Sequence, residues 1–199
     1  MGSVKFNEPF VQVDKHLSHF SVSKTVNTKR YHDAFALLPL PSTVCESAYR
    51  QAGRILRKAN GTELEYLAVI DARTGDLVVD NLYRRASPHR AALSLEEKSL
   101  ATACPHHVVT IHNHPSSKEP SYQDIVTAAR NDKILGSLVV AHDASVWYLS
   151  IPNASIAGIL EREYNAIRSY TGEYAKALAV RHLLEANEQH HLFTLRRFL

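Results

Sequence analysis

The stretch His112-Asn113-His114-Pro115-Ser116-Ser117-Lys118-Glu119-Pro120-Ser121-Tyr122-Gln123-Asp124 constrains this chain more than any other. The residues before it, Val108-Val109-Thr110-Ile111, are apolar and mostly β-branched, which predicts a strand. Residues two apart on a strand point the same way, so His112 and His114 aim both imidazoles into one space. Pro115 has no N–H and ends the ladder. After a short polar loop, Ser121 stands where a helix N-cap belongs, with Asp124 three residues on, in the first helical turn. A loop that folds back brings Asp124 to the histidines. Two histidines and one aspartate form a zinc set that leaves a fourth position for water, the arrangement of a catalytic rather than a structural site.

Taken whole, the string resembles the His-x-His-Pro…Ser-x-x-Asp signature of the JAMM (JAB/MPN) metallopeptidases. Its His-Asn-His-Pro-Ser opening looks most like their RadC branch. The loop from His114 to Ser121 is one residue shorter than the usual family spacing, and Ser117 stands where the RadC-like glycine would be. The resemblance covers roughly residues 42–150. It implies zinc as cofactor, held by His112, His114 and Asp124. It also implies that Ser121 steadies the developing oxyanion, and that a glutamate near the start of an upstream strand is the acid/base. Here that strand opens Thr62-Glu63-Leu64-Glu65. The register from Glu63 to Asp71 matches the family spacing and favours Glu63 as the catalytic residue, with Glu65 second. Glu63 and Glu65 are two apart, so both point to the same sheet face.

The implied activity is zinc-dependent hydrolysis of a peptide or isopeptide bond, with an extended peptide or the tail of a ubiquitin-like protein as substrate. The alternative is a RadC-like non-proteolytic module tied to DNA or mobile elements. Charge does not favour it, since a net +3 is only slightly basic. Lys24, Lys29, Arg30 and His32 form a loose basic patch that reads as solvated surface.

The rest of the chain predicts a mixed β-sheet flanked by helices, in the manner of the JAMM/MPN and cytidine-deaminase-like sandwich, with a helical C-terminal extension. Alternation at residues 11–13 and 20–22 suggests short strands. Thr43 and Glu46 read as a capping box opening a helix, with Arg50, Arg54 and Arg57 facing out, and Asn60-Gly61 ending it. Leu64 to Ile70 reads as one strand, Asp71 to Asp76 as a hairpin turn, and Leu77 to about Tyr83 as the return. Ser94 and Glu97 form a second capping box, for a helix ending near Cys104. The helix from Ser121 runs to about Asp132, Gly136 breaks it, and two strands follow at residues 138–141 and 146–149.

Three segments follow: an N-terminal extension at 1–41, the metallopeptidase-like core at 42–152, and helices at 153–199. The helical stripes of the last segment suit self-association or membership of a complex. The start of the chain has no apolar signal core, no run suits a membrane, and Cys45 and Cys104 are far apart. These features predict a cytoplasmic protein in a reducing compartment.

Overall fold

The computed structural model describes residues 20–83, 87, 88, 90–116, 118–171 and 174–199. The expected strand at residues 11–13, together with Ser117 and Gly172, lies outside them. The other expected N-terminal strand does not form: Phe20 sits in a turn that leads to a short 3-10 helix, Lys24–Asn27. Helix α1 spans Lys29–Ala36 and α2 spans Ser42–Ala59. Strands β1 (Leu64–Glu65), β2 (Leu67–Asp71), β3 (Leu77–Asp80) and β4 (Ser87–Pro88) follow, then α3 (Leu95–Ala103). Next come β5 (Val108–His114), α4 (Tyr122–Arg130), β6 (Ile134–Ala141) and β7 (Val146–Ser150). The chain closes with α5 (Ser155–Thr171), α6 (Ala175–His190) and β8 (Thr194–Arg197).

Six strands make the main sheet, in the order β3-β2-β5-β6-β7-β8. Only β5 and β6 run parallel, joined by α4 as the crossover; every other pair is antiparallel, so the sheet is mixed. Alternation along β5 divides its side chains between two layers. Val109 and Ile111 face α2 in the larger core, with Ile55, Leu56, Leu138 and Val140. Opposite them, α4, α5 and α6 build a second core around Ile125, Leu149, Leu160 and Leu183. Val22, Val26, Tyr31 and Phe35 join the larger core, and β8 adds a strand to the sheet, so residues on both sides of 42–152 pack with it.

Several local expectations change. The helix start has no Thr43–Glu46 box: Pro41 is the cap, its carbonyl accepts from the N–H groups of Val44 and Cys45, and Glu46 turns to His32 at 3.2 Å. Arg54 does not face out; its guanidinium meets the buried Asp80 carboxylate at 2.8 Å. The helix from Ser121 ends at Arg130, and Gly136 does not break it but lies inside β6, where an added Cβ would come within 2.5 Å of the Tyr148 ring. The glycine is there because the ring occupies its side-chain space. The Asp71–Asp76 turn forms as expected. Gly75 has a φ of +81°, and its Cβ position lies 2.6 Å from the Thr43 carbonyl oxygen, so the hairpin tip packs hard on the first turn of α2.

The expected strand Leu64 to Ile70 is interrupted at Tyr66. Its first part, β1, leaves the main sheet and pairs with β4. The break leaves Glu65 in β1, outside the main sheet.

Candidate metal centre

Strand β5 ends at His114, and its last even-numbered residues project on the α4 side of the sheet. His112 and His114 are both buried, with their Nε2 atoms 3.2 Å apart. Ser121 caps α4 in a full capping box: its hydroxyl accepts from Asp124 N–H, and Asp124 Oδ2 accepts from Ser121 N–H at 2.7 Å. The box fixes the carboxylate in the first turn and aims it at the histidines. Asp124 Oδ1 is 3.2 Å from His112 Nε2, and Oδ2 is 3.3 Å from His114 Nε2. The shorter loop therefore still lets Asp124 reach both rings.

These edges of the triangle test whether an ion fits. Tetrahedral ligands at the usual zinc–nitrogen length of about 2.0–2.1 Å lie about 3.3 Å from one another. The two imidazole nitrogens have that spacing from each other, and each has it from one oxygen of the Asp124 carboxylate; one ligand atom from each residue lies within 4.8 Å of the others, the one such group of potential metal ligands found among the described residues. His114 Nδ1 is 3.2 Å from the carbonyl oxygen of Lys118, an acceptor only, so Nδ1 carries the proton and Nε2 presents its lone pair.

The electrostatics are those of a site built for a cation. For Asp124, burial works against ionisation, but both imidazoles outweigh it and hold the carboxyl far below its usual range. For His114, burial works against the charged form, yet Asp124, Glu65 and the Lys118 carbonyl raise its pKa. With no metal bound, the raised pKa favours the protonated form of His114, whose charge offsets part of that on the carboxylates.

Glu65 lines the same cavity as the triad, whereas Glu63 does not. Thr62 explains the difference. Its hydroxyl donates to the Ala59 carbonyl and accepts from Leu64 N–H, closing a tight turn at the end of α2. Glu63 sits on the outside of that turn, exposed and outside any strand. Glu65, one residue into β1, is buried; burial raises its pKa, the two histidines oppose the rise, and Asp124 adds to it. The shared face expected of the two glutamates needed a continuous strand, and the chain is not a strand at Glu63.

The cavity holds about 660 Å³ and runs from the triad down the sheet face, over Leu67, Thr110, Ser137 and Ile134, with α6 as the far wall. Lys176 of α6 stands at that wall, its ammonium 5.7 Å from the centre of the Tyr122 ring. Sequence reasoning missed this wall, because an amphipathic stripe says that a helix packs without saying on what. It also missed Asn113, which lies fully buried between the two histidines. The signal was present: an amide between two site residues, pointing to the opposite face, has to satisfy its polar atoms somewhere.

Away from the triad, Asp71 closes the β2–β3 turn, accepting from the N–H groups of Arg73 and Thr74 and lying 2.8 Å from His106. Burial opposes its ionisation, and these bonds outweigh the burial and lower its pKa. Asp71 therefore serves the turn. Cys104 and Cys45 are both free and buried.

No protein-family model, no curated protein and no solved structure matches the chain. No helix among the described residues is long and apolar enough to cross a membrane.

Proposed function

We propose that this protein is a zinc-dependent hydrolase of peptide or isopeptide bonds, of the JAMM type and closest to the RadC branch. The observation that carries the reading is the closed triangle of His112 Nε2, His114 Nε2 and the Asp124 carboxylate, at 3.2–3.3 Å, with a buried glutamate lining the same cavity. When bound there, zinc supplies a Lewis acid and brings the pKa of a water close to neutrality.

The chain's own residues do the rest. Glu65, not Glu63, accepts the proton of the attacking water and returns it to the leaving amine. Burial raises the Glu65 pKa, which makes its carboxylate a stronger base towards the water's proton. Ser121 Oγ accepts from Asp124 N–H and keeps its own proton to donate to the oxyanion. Residues of β5 and β6 line the cavity beside the triad, which suits an extended chain such as the tail of a ubiquitin-like protein.

The experiment is direct. Protein loaded with zinc is incubated with an internally quenched peptide library and with isopeptide-linked ubiquitin-like dimers. Cleavage that stops on chelation and returns with zinc is expected. Zinc-loaded protein that cleaves neither class would remove the proposal. Salt-dependent DNA binding by zinc-free protein would favour the non-proteolytic alternative.

A further inference from the structure

The segment that carries Glu65 is short. Strand β1 has two residues, and among the described residues its one ladder partner is β4. Two residues of ladder do not fix a catalytic carboxylate by themselves. Asn113 supplies the missing constraint. Its backbone N–H donates to Tyr66 O at 3.3 Å. Its side chain reaches back to both neighbours of Glu65: Tyr66 N–H donates to Asn113 Oδ1 at 2.8 Å, and Asn113 Nδ2 donates to Leu64 O at 3.0 Å. The backbone on each side of Glu65 is thus tied to the residue that separates the two histidines.

A further residue fixes which way the amide points. His142 Nδ1 lies 2.6 Å from Phe20 O, which only accepts, so Nδ1 is protonated and Nε2 is an acceptor. Asn113 Nδ2 lies 3.3 Å from that Nε2 and donates to it. A flipped amide would lose its bonds to Leu64 O, Tyr66 N–H and His142 at once. His142 is in turn held by its own N–H, which donates to His114 O at 3.1 Å, and by its carbonyl, which accepts from Ser23 N–H at 2.6 Å. Asn113 and His142 are both buried.

We propose that Asn113 is the positioning residue for Glu65, with its amide oriented by His142. It sets the glutamate against the metal ligands, touching neither substrate nor metal. The proposal rests on the reading of Glu65 as the base, but its geometric half does not. A gauge of Glu65's position is already present, since Glu65 Oε2 accepts from Ala91 N–H at 3.1 Å.

The test measures hydrogen exchange at the Tyr66 and Ala91 amides, zinc content, and kcat on an internally quenched peptide that the wild type cleaves. Asn113→Ala should speed exchange at both amides, leave zinc content unchanged, and lower kcat by on the order of 10- to 100-fold. In a Glu65→Ala background the same change should cost nothing further, because Asn113 acts through Glu65. His142→Ala should speed Ala91 exchange less than Asn113→Ala does, and it carries the test if Asn113→Ala does not fold. Unchanged Ala91 exchange, lost zinc, or an equal further loss of kcat without Glu65 would each overturn the proposal. If the wild type holds zinc yet cleaves nothing, the functional reading falls, and Ala91 exchange alone decides whether Asn113 holds Glu65.

Discussion

Replacing Glu65 by Gln probes the proposed chemistry with little change of shape. Glutamine keeps a carbonyl oxygen for Ala91 N–H, so the local fold should survive while proton transfer is lost. General acid/base groups contribute about 100- to 10,000-fold, or about 3–5.5 kcal/mol of barrier, and kcat should fall within that range. Stability should move the other way. Burial raises the folded-state pKa of Glu65, so ionisation of the folded protein costs free energy. The group's favourable contribution is complete below the unfolded carboxylate pKa and is lost as pH rises through the elevated folded value. In metal-free protein, Glu65→Gln should therefore become more stable relative to wild type as pH rises through that window. Urea unfolding at pH 5 and pH 8, beside steady-state kinetics, reads both effects. Glu63→Gln serves as the control, since Glu63 is exposed and outside the cavity. If Glu65→Gln keeps turnover within about threefold of wild type, or Glu63→Gln falls as far, the assignment of the base is wrong.

Two further outcomes follow from the same geometry. His114 has a raised pKa in metal-free protein, so zinc binding should release protons and weaken as pH falls; calorimetry in buffers of different ionisation enthalpy reads the release, and its absence near neutral pH would contradict the His114 assignment. Gly136→Ala should destabilise the protein by about 1–3 kcal/mol, because the new Cβ would lie 2.5 Å from Cε2 of the buried Tyr148; an unchanged urea midpoint would show that the ring moves aside freely.

How much of this was legible in the sequence depended on whether the signal was local. The strand-loop-helix around His112, His114 and Asp124 was readable because each step rests on neighbours: β-branched residues, then Pro115, then the Ser121 cap. The capping box at Ser94 and the turn at Asp71 were readable for the same reason. Which of Glu63 and Glu65 lines the cavity was not. That depends on Thr62 closing a turn after α2 and on Asn113 bonding Tyr66, a contact across 47 residues. Gly136 misled because a strand glycine and a breaking glycine look alike until the Tyr148 ring is in place. Arg54 misled because its partner, Asp80, comes from a strand that the helix pattern cannot show.

Metal content shows whether His112, His114 and Asp124 together hold an ion. Metal-stripped wild type, His114→Ala and Asp124→Ala are dialysed against zinc, freed of excess ion and analysed by mass spectrometry, with circular dichroism to confirm folding. Equimolar zinc is expected in the wild type, and less than about a tenth of that in either variant. A folded wild type that keeps no zinc, or folded variants that keep it all, would contradict that expectation.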